Sequence, residues 1–398
     1  MQIICVLFLY KNQFVSLKIS FKICAASPFC KRFHLSLYLY NIIMNINNLS
    51  ISKWKFTMNE SYSLNPNLET ISNTNGMSVT VMDWGATIIS MKVPVKGEVA
   101  REVLLGVKDP ADWYKQSCFF NATIGRFANR IANSEFEIDG KKYKLNSGAK
   151  HCLHGGAEGF DKRRFKLLDK SVNSLTYTIH SPDGDMGFPG NFDLTVVFTL
   201  TDDNELVMQY TGKCDQKCYA CITNHAYFNL NGHNSSVLNH TVKMNSTEFL
   251  PLDDTSIPTG EVRKVAGSAF DFTKEKTIGQ DIRKDDQMKA SLGYDHPYLI
   301  DGDLTKPFIK VTSDDKKLSL EVSSDYPAFQ LYTGNYVNHG DSNITARDDG
   351  KVYGDQSALC IEPEFYPDCP HLPQFADVNP MVTPEKPLQK TIVYKFSD

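Results

Sequence analysis

Acidic residues are missing from the first part of this 398-residue sequence, where no aspartate or glutamate precedes Glu60. Seven lysine and arginine residues give that leader a charge of +7, so a net charge of −4 for the whole chain leaves −11 on the remainder. An acidic body repels the phosphates of nucleic acids and anionic membrane surfaces. We therefore expect neither nucleic acid nor a stably bound membrane as a partner.

Disulfide frameworks and cofactor-binding loops are absent too. The ten cysteines lack the spacing of small secreted disulfide-rich domains, and a chain of this length needs no such bridges. Cys214, Cys218 and Cys221 lie close together without a fourth metal ligand near them, so we expect them to pack in the core. No glycine-rich loop leads from a strand into a helix. We expect reduced thiols, a cytoplasmic location and neither a metal nor a nucleotide cofactor.

Three explanations fit the composition of residues 1–58. The apolar start, Met1 to Leu9, is too short for a membrane span and lacks the basic residues of a signal peptide. The segment is acid-poor, as mitochondrial targeting peptides are, but has a single arginine. Its residues are those of AT-rich codons, as expected for untranslated sequence read ahead of a start at Met44 or Met58, which we favour over targeting and over a structural extension. We predict a disordered leader followed by a single domain over residues 62–398.

Apolar and polar residues alternate along the chain from residue 76 onward. Phe136 and Ile138 precede the turn dipeptide Asp139-Gly140 and further alternation follows it, which predicts a β-hairpin. The best helical stretch, residues 274–292, is polar and allows at most a turn or two of surface helix. Many short strands at regular spacing predict an all-β sandwich without a second domain.

Three short segments contain the residue types that move protons on a hydroxylated substrate. NHAYFNL places His225 between a carboxamide and two aromatic residues, HCLHGG brings His154 to a glycine turn, and CIEPEFYPD brings Glu362 out of an apolar strand. A lone histidine in a strand is more often a core residue than a catalyst, and a lone glutamate often ends a strand. Together they supply an acid, a base and polar groups to hold a sugar.

These segments belong to a longer pattern that resembles the aldose 1-epimerase (galactose mutarotase) family from about residue 62 to the C-terminus. The matching segments, in the family's order, are IGRFANRIANSEFEIDGKKYKL, LHGGAEGFDK, SPDGDMGFPG, NHAYFNL, FLPLDDTSIPTGEV, GYDH, FQLYTGNY and CIEPEFYPD. The resemblance implies a large antiparallel β-supersandwich with a sugar cleft on one concave sheet. It also implies an isomerase that interconverts the α and β anomers of free aldohexoses, such as galactose and glucose, by ring opening and closing.

The resemblance implies roles for individual residues. Glu362 is the base that takes the proton of the anomeric hydroxyl, and His225 is the acid that protonates the ring oxygen. The residues expected to contact sugar hydroxyls are Asn129, Arg130, His154, Tyr227, Asp295 and Gln330. Asp295 alternatively caps a turn, although a carboxylate that accepts two hydroxyl bonds is the commoner use in this setting.

Structural alternatives stay open for several neighbours of these residues. Arg126 competes with Arg130 as the sugar clamp, and Arg130 is preferred because it matches the family position. For Phe188, Phe365 and Tyr366, packing in the core and covering the apolar face of the sugar are equally good expectations.

The sequence departs from the family beside the expected base. Family members often carry Thr-Gln where this chain carries Pro363-Glu364, and the loop of residues 368–375 is unusual. Neither change removes a proton-transfer group. Because the loop lies beside the expected cleft, the preferred aldose is not fixed by the resemblance.

Two other functions compete with the free-sugar epimerase. Lys162, Arg163 and Arg164 supply the positive charge that a hexose-6-phosphate 1-epimerase would need to hold its phosphate. A non-catalytic carbohydrate-binding sandwich is the second alternative, but such a module needs neither His225 nor Glu362. The sequence leaves the oligomeric state open.

Overall fold

The computed structural model describes residues 3–10, 13–21, 66–109, 112–232, 234–337 and 346–398. It contains two compact units, Met1–Leu64 and Asn65–Asp398. In the first unit, strands β1 (Ile3–Tyr10) and β2 (Gln13–Phe21) pair as an antiparallel hairpin, which the sequence did not lead us to expect. The remainder of the leader lies outside the described residues, so its assignment as a disordered leader stays a prediction.

The regular secondary structure described in the second unit consists mainly of short β-strands. In chain order they are β3 (Leu68–Ser72), β4 (Ser78–Met82), β5 (Thr87–Val93), β6 (Arg101–Glu102), β7 (Thr123–Ile124), β8 (Arg130–Ile131), β9 (Glu135–Ile138), β10 (Lys141–Lys144), β11 (Cys152–Leu153), β12 (Lys166–Lys170), β13 (Ser174–Ser181), β14 (Phe192–Leu200), β15 (Glu205–Cys214), β16 (Cys218–Tyr219), β17 (Thr223–Asn224), β18 (Thr241–Met244), β19 (Glu248–Phe249), β20 (Arg263–Lys264), β21 (Lys276–Thr277), β22 (Asp295–Leu299), β23 (Ile309–Thr312), β24 (Ser319–Ser324), β25 (Ala328–Tyr332), β26 (Cys360–Glu364), β27 (Met381–Val382) and β28 (Leu388–Ser397).

Helical structure is confined to short segments. These are α1 (Asp112–Lys115), α2 (Gln287–Ser291) and 3-10 turns at Ala132–Ser134, Phe160–Lys162, Asp185–Gly187, Ile278–Gln280, Cys369–His371 and Pro373–Val378. The thin helical signal of residues 274–292 is therefore confirmed. Among the helices that the structure describes, none has the length and apolar character needed to cross a membrane.

A nine-stranded sheet in the order β12-β13-β14-β15-β28-β24-β23-β18-β21 forms the largest layer, and its neighbouring strands all run antiparallel. Side chains alternate along its central strands: on β14, Phe192, Leu194 and Val196 are fully buried while the residues between them are less so. This alternation gives one face to the core and the other to solvent. The all-β prediction is confirmed, and β9 pairs with β10 across Asp139-Gly140 as the sequence indicates.

A second sheet, in the order β20-β19-β22-β25-β26, supplies much of the candidate site. Every residue of β25 and β26 is buried, polar ones included. Buried polar groups need partners inside the protein or in a ligand. The cysteines predicted for the core, Cys214, Cys218 and Cys221, are buried as well.

Candidate active site

Glu362, Gln330 and Asp295 lie on three adjacent strands of the five-stranded sheet. In the β25–β26 register Gln330 is directly opposite Glu362, and in β22–β25 it is opposite Pro297, two residues from Asp295. Opposed residues of an antiparallel pair share a face, and diagonal neighbours remain within reach of long side chains. The Gln330 amide donates a 2.7 Å hydrogen bond from Nε2 to Oδ1 of Asp295. Strand register thus brings together three polar residues that are distant in sequence.

His225 is held against Glu362 by the backbone that follows β17. Its N–H donates to the carbonyl of Ala122 at 3.0 Å, and its carbonyl accepts from the N–H of Asn121 at 3.0 Å. The imidazole stacks on the ring of Tyr227, with the planes 12° apart and the centroids 5.0 Å apart. Its Nε2 lies 3.6 Å from Oε2 of Glu362, and both side chains are buried. The two groups that the sequence suggested as acid and base are therefore adjacent.

Two hydrogen bonds hold Asn129 and His154 together, one to the His154 ring and one between the two backbones. The N–H of Asn129 donates to Nδ1 of His154 at 3.1 Å, and the N–H of His154 donates to the carbonyl of Asn129 at 3.0 Å. A neutral imidazole that accepts at Nδ1 carries its proton on Nε2. Gly155 follows at φ +90°, where an added Cβ would lie 1.9 Å from the carbonyl oxygen of Gly125. The glycine turn therefore presents His154 as a fixed hydrogen-bond donor.

Glu364 is a member of the site that the sequence analysis did not assign. Its Oε1 accepts a 2.8 Å hydrogen bond from Nδ2 of Asn129, whose Oδ1 in turn accepts from the N–H of Arg130. The available signal was the spacing of Glu362 and Glu364, since alternate residues of a strand point to the same side.

Burial acts on the proton-transfer pair in opposite directions. It raises the pKa of Glu362 well above its usual value, and the charges of Glu364 and Asp295 add to this effect while Arg130 opposes it. Burial lowers the pKa of His225 to about 3. Burial therefore disfavours the charged form of each of the two groups.

Tyr227, which the sequence analysis expects to contact sugar hydroxyls, makes its hydrogen bonds to neighbouring residues of the protein. That hydroxyl donates to the carbonyl of Cys118 at 2.7 Å, and the backbone N–H of Tyr227 donates to Oδ1 of Asn121. The side chain is buried beneath His225. The bond to Cys118 uses the hydroxyl proton of Tyr227, and the ring supports the imidazole of His225 by stacking on it.

Phe119 is a second residue that the sequence analysis missed. Its ring meets His154 edge-on with centroids 4.6 Å apart and stacks over His225 at 6.0 Å. The Nζ of Lys162 lies 5.9 Å from the centroid of the same ring. The residue has φ +59°, a conformation that no sequence pattern here signals. Phe119 thus supplies an aromatic wall to both histidines.

The hydrogen bonds of Arg126 are structural and do not suit a sugar-binding role. The guanidinium donates to Oγ of Ser181 and to the carbonyls of Ser181, Pro189 and Gly190 at 2.6 to 3.0 Å. Arg130 is instead near enough to Asp295 for its charge to lower, in part, the pKa that burial raises. These contacts favour Arg130 as the sugar clamp.

We therefore expect opposite effects from two matched substitutions. Arg126→Lys loses the forked donor geometry that holds buried carbonyls, so unfolding should become easier by about 2 kcal/mol or more while KM stays near wild type. Arg130→Lys should raise KM by about tenfold with little change in thermal stability. Melting curves and initial-rate kinetics on both variants separate the roles. A raised KM in a stable Arg126→Lys protein would move the clamp four residues upstream.

The aromatic residues with two open interpretations pack mainly within the protein. Phe188 is fully buried, and its ring centroid lies 5.8 Å from that of Phe136. Phe365 packs edge-on against Tyr326 with ring centroids 5.2 Å apart, and Tyr366 packs edge-on against Phe375 with centroids 4.9 Å apart. For Phe188 the core-packing alternative is the one that the structure supports.

His154, His225 and Glu362 bring potential metal-ligand atoms within 4.8 Å of one another. Two imidazoles and a carboxylate are a zinc-type donor set. Ligation through Nε2 of a neutral His154 requires its proton on Nδ1, yet Nδ1 already accepts from the N–H of Asn129. With Nδ1 accepting from Asn129, the proton of His154 is on Nε2, and a protonated Nε2 cannot bind an ion. The donor set therefore does not fit a metal without loss of the Asn129 hydrogen bond.

Fold and site together define an antiparallel all-β protein with a buried acid–base pair surrounded by hydrogen-bonding side chains. The family model described as aldose 1-epimerase matches residues 68–395. The chain therefore belongs to the aldose 1-epimerase family, as the sequence resemblance indicates.

Individual relatives agree with this assignment. The chain is 39% identical over 347 residues to the aldose 1-epimerase of Escherichia coli K12, covering 85% of this chain and 99% of that protein. It is 35% identical over 324 residues to human galactose mutarotase, covering 81% and 91%. Among solved structures, an aldose epimerase homologue from C. elegans superimposes with a TM-score of 0.76 at 29% identity, covering 83% of this chain and 99% of that one.

Proposed function

We propose that the protein is an aldose 1-epimerase, an isomerase that interconverts the α and β anomers of free aldohexoses such as galactose and glucose. The observation that carries the proposal is the 3.6 Å separation of His225 Nε2 and Glu362 Oε2 inside a buried site. Family membership and the names of the bacterial and human relatives support it.

Two proton transfers account for the chemistry. Glu362 takes the proton of the anomeric hydroxyl while His225 donates a proton to the ring oxygen, and the C1–O5 bond breaks to give the open-chain aldehyde. Rotation about C1–C2 turns the carbonyl over. The ring oxygen then attacks the other face of C1, returns its proton to His225, and the new anomeric oxygen regains the proton held by Glu362. Both reacting oxygens are bonded to C1, so an adjacent acid and base reach them together.

Binding groups for the other hydroxyls lie around this pair. The Nε2–H of His154 and the guanidinium of Arg130 donate, and the carboxylate of Asp295 accepts. Gln330 has a buried Oε1 with no hydrogen-bond partner among the described residues, which a sugar hydroxyl would satisfy. We assign Asn129 and Tyr227 to positioning, since Asn129 holds His154 and Tyr227 supports His225.

The arginines considered for phosphate binding already have acidic partners. Arg163 forms an ion pair with Asp185, and Arg164 lies 3.1 Å from Oδ2 of Asp83. Lys162 donates to the carbonyl of Ala157 at 2.9 Å. A phosphate would have to displace these partners, so a free sugar is favoured over a hexose 6-phosphate. A non-catalytic sugar-binding module is disfavoured because it gains nothing from a buried acid beside a buried base.

Polarimetry on freshly dissolved α-D-glucose and α-D-galactose tests the proposal. The protein should accelerate the approach to the equilibrium rotation of both sugars above the spontaneous rate, and an excess of a strong chelator should not change the rate. No acceleration with either sugar would refute the proposed activity. Activity that is lost on chelation and restored by a divalent ion would refute the cofactor-free mechanism.

We also propose that the second unit works without the leader. The family match begins at residue 68, and the proposed site residues lie between Asn129 and Glu364. A protein that begins at Met58 should therefore retain its kcat within about twofold and its melting temperature within a few degrees. Kinetics and melting curves on the two lengths provide the test. A large loss in either would show that the leader contributes to the enzyme.

A further inference from the structure

Glu364 is a buried carboxylate that the mechanism above does not use. It lies on the same side of β26 as Glu362, because the two residues are separated by one position in the strand. Its side chain is completely buried, and its Oε2 has no hydrogen-bond partner among the described residues. Burying a carboxylate with an unsatisfied oxygen costs several kcal/mol of stability. A second acidic group beside the base therefore calls for a functional account.

We propose that Glu364 is a positioning residue whose negative charge makes Glu362 a stronger base, and that Asn129 keeps Glu364 ionised for this role. The inference rests on the proposed function of Glu362. It adds a second carboxylate to the site without assigning it any contact with the sugar.

The hydrogen bonds around the two carboxylates decide which of them ionises first. Burial raises the pKa of Glu364 as it does that of Glu362, but Glu364 accepts a 2.8 Å bond from Nδ2 of Asn129, which favours its charged form. Among the residues that the structure describes, Glu362 has no such donor: its Oε2 is unpartnered, and Nε2 of His225 lies 3.6 Å away, beyond hydrogen-bond distance. Glu364 therefore loses its proton before Glu362 does. Once charged, it repels the developing charge of its neighbour.

The remaining charges around Glu362 and Glu364 set the size of this effect. The titratable and charged groups that face the two carboxylates from the surrounding elements are Asp295, Arg130, His154, His225, Tyr227, Tyr394, Cys221, Cys360 and Cys369. Burial raises the pKa of the three thiols and of the two tyrosines, so these five groups stay neutral at working pH. The charge of Asp295, like that of Glu364, raises the pKa of Glu362, and the charge of Arg130 lowers it. Because these groups sit in a poorly solvated site, a single charge has a large effect there.

A stronger base speeds the removal of the anomeric proton as long as it remains ionised at the working pH. The charge of Glu364 raises the proton affinity of Glu362, while the opposing charge of Arg130 limits that rise. The pair formed by Glu362 and His225 therefore gains and loses protons at higher pH than it would without Glu364. The pH dependence of the reaction reports this difference directly.

Glu364→Gln isolates the charge from the hydrogen bond. The amide keeps the size of the side chain and an oxygen that accepts from Asn129, and glutamine is the residue that family members often carry there. Both limbs of the profile of kcat/KM against pH should move to lower pH by about one unit. The plateau kcat should fall by about threefold because the base is weaker, and KM should change by less than about twofold.

Two control variants complete the experiment. Glu364→Asp keeps the charge, so its limbs should stay within about 0.3 of a unit of wild type. Glu137→Gln removes an exposed carboxylate from the hairpin of β9 and should leave the profile unmoved. A folded Glu364→Gln protein with an unshifted profile would overturn the proposal. The proposed function would still stand in that case, provided that Glu362→Gln is inactive.

Other outcomes are equally decisive. A loss of a hundredfold or more in Glu364→Gln without a shift would make Glu364 itself the base, and would overturn both this inference and the role of Glu362. If Glu364→Gln fails to fold, the infrared carbonyl band of protonated carboxyl groups in the wild-type protein provides the answer. Two separated titration steps that Glu364→Asp preserves support the proposal, and a single step overturns it.

Discussion

Replacing Glu362 by glutamine should reduce kcat for anomer exchange by at least about a hundredfold, because a positioned proton-transfer group typically contributes about 10² to 10⁴ in rate. The amide has the shape of the carboxylate but cannot take the anomeric proton. The side chain is buried and the neutral amide is easier to bury than a charge, so the variant should fold at least as stably as wild type. Polarimetry gives kcat, and equilibrium binding of galactose should persist.

Glu137→Gln is the matched control for this change, since it makes the same chemical substitution at an exposed position of β9 and should leave kcat unchanged. A Glu362→Gln enzyme that retains more than about a tenth of wild-type kcat would end the assignment of Glu362 as the base. The search would then turn to the two carboxylates nearest to it, Glu364 and Asp295.

His225→Asn should cause a loss of similar size, about a hundredfold or more in kcat, because the ring oxygen then lacks its proton donor. Acid and base act in one cycle, so either deletion disables the same step. The double variant Glu362→Gln with His225→Asn should therefore be little slower than either single variant. The three kcat values, measured at the pH optimum, form a double-mutant cycle that tests the coupling.

His180→Asn is the control for the histidine change, since His180 pairs with Asp193 on the surface and the imidazole is largely exposed. It should leave kcat at the wild-type value. Losses that multiply in the Glu362→Gln, His225→Asn double variant would mean that the two residues serve independent steps, and the paired mechanism would be wrong.

Local patterns in the sequence predicted the fold class well. A period of two in β14 and the Asp139-Gly140 turn between β9 and β10 depend on neighbouring residues alone, so they can be read without the tertiary structure. The same holds for the weak helical signal of residues 274–292. The order of strands in the sheets could not be predicted in this way, since pairing between distant segments depends on packing of the whole core.

The candidate site, too, was predictable only where local sequence patterns were sufficient. Sequence patterns and the family resemblance indicated His225, Glu362 and Arg130, because each lies in a segment whose residue types suit sugar chemistry. They preferred Arg130 to Arg126 on the family position alone and did not predict what Arg126 contacts. Four residues separate them, but the carbonyls that engage Arg126 come from residues 181–190, more than fifty positions away.

What the sequence by itself determined is the all-β architecture, the acidic character of the body and the choice of His225 and Glu362 as the proposed proton-transfer pair. The tertiary structure decided how those residues are used: which tautomer His154 adopts, that the Tyr227 hydroxyl is engaged within the protein, and that Glu364 and Phe119 belong to the site. The physical reason is that protonation, burial and hydrogen bonding depend on distances of a few ångströms between segments far apart in the chain. The pairing register of the strands and the turns between them set those distances, whereas the periodicity of a sequence depends only on residues that are close together in the chain.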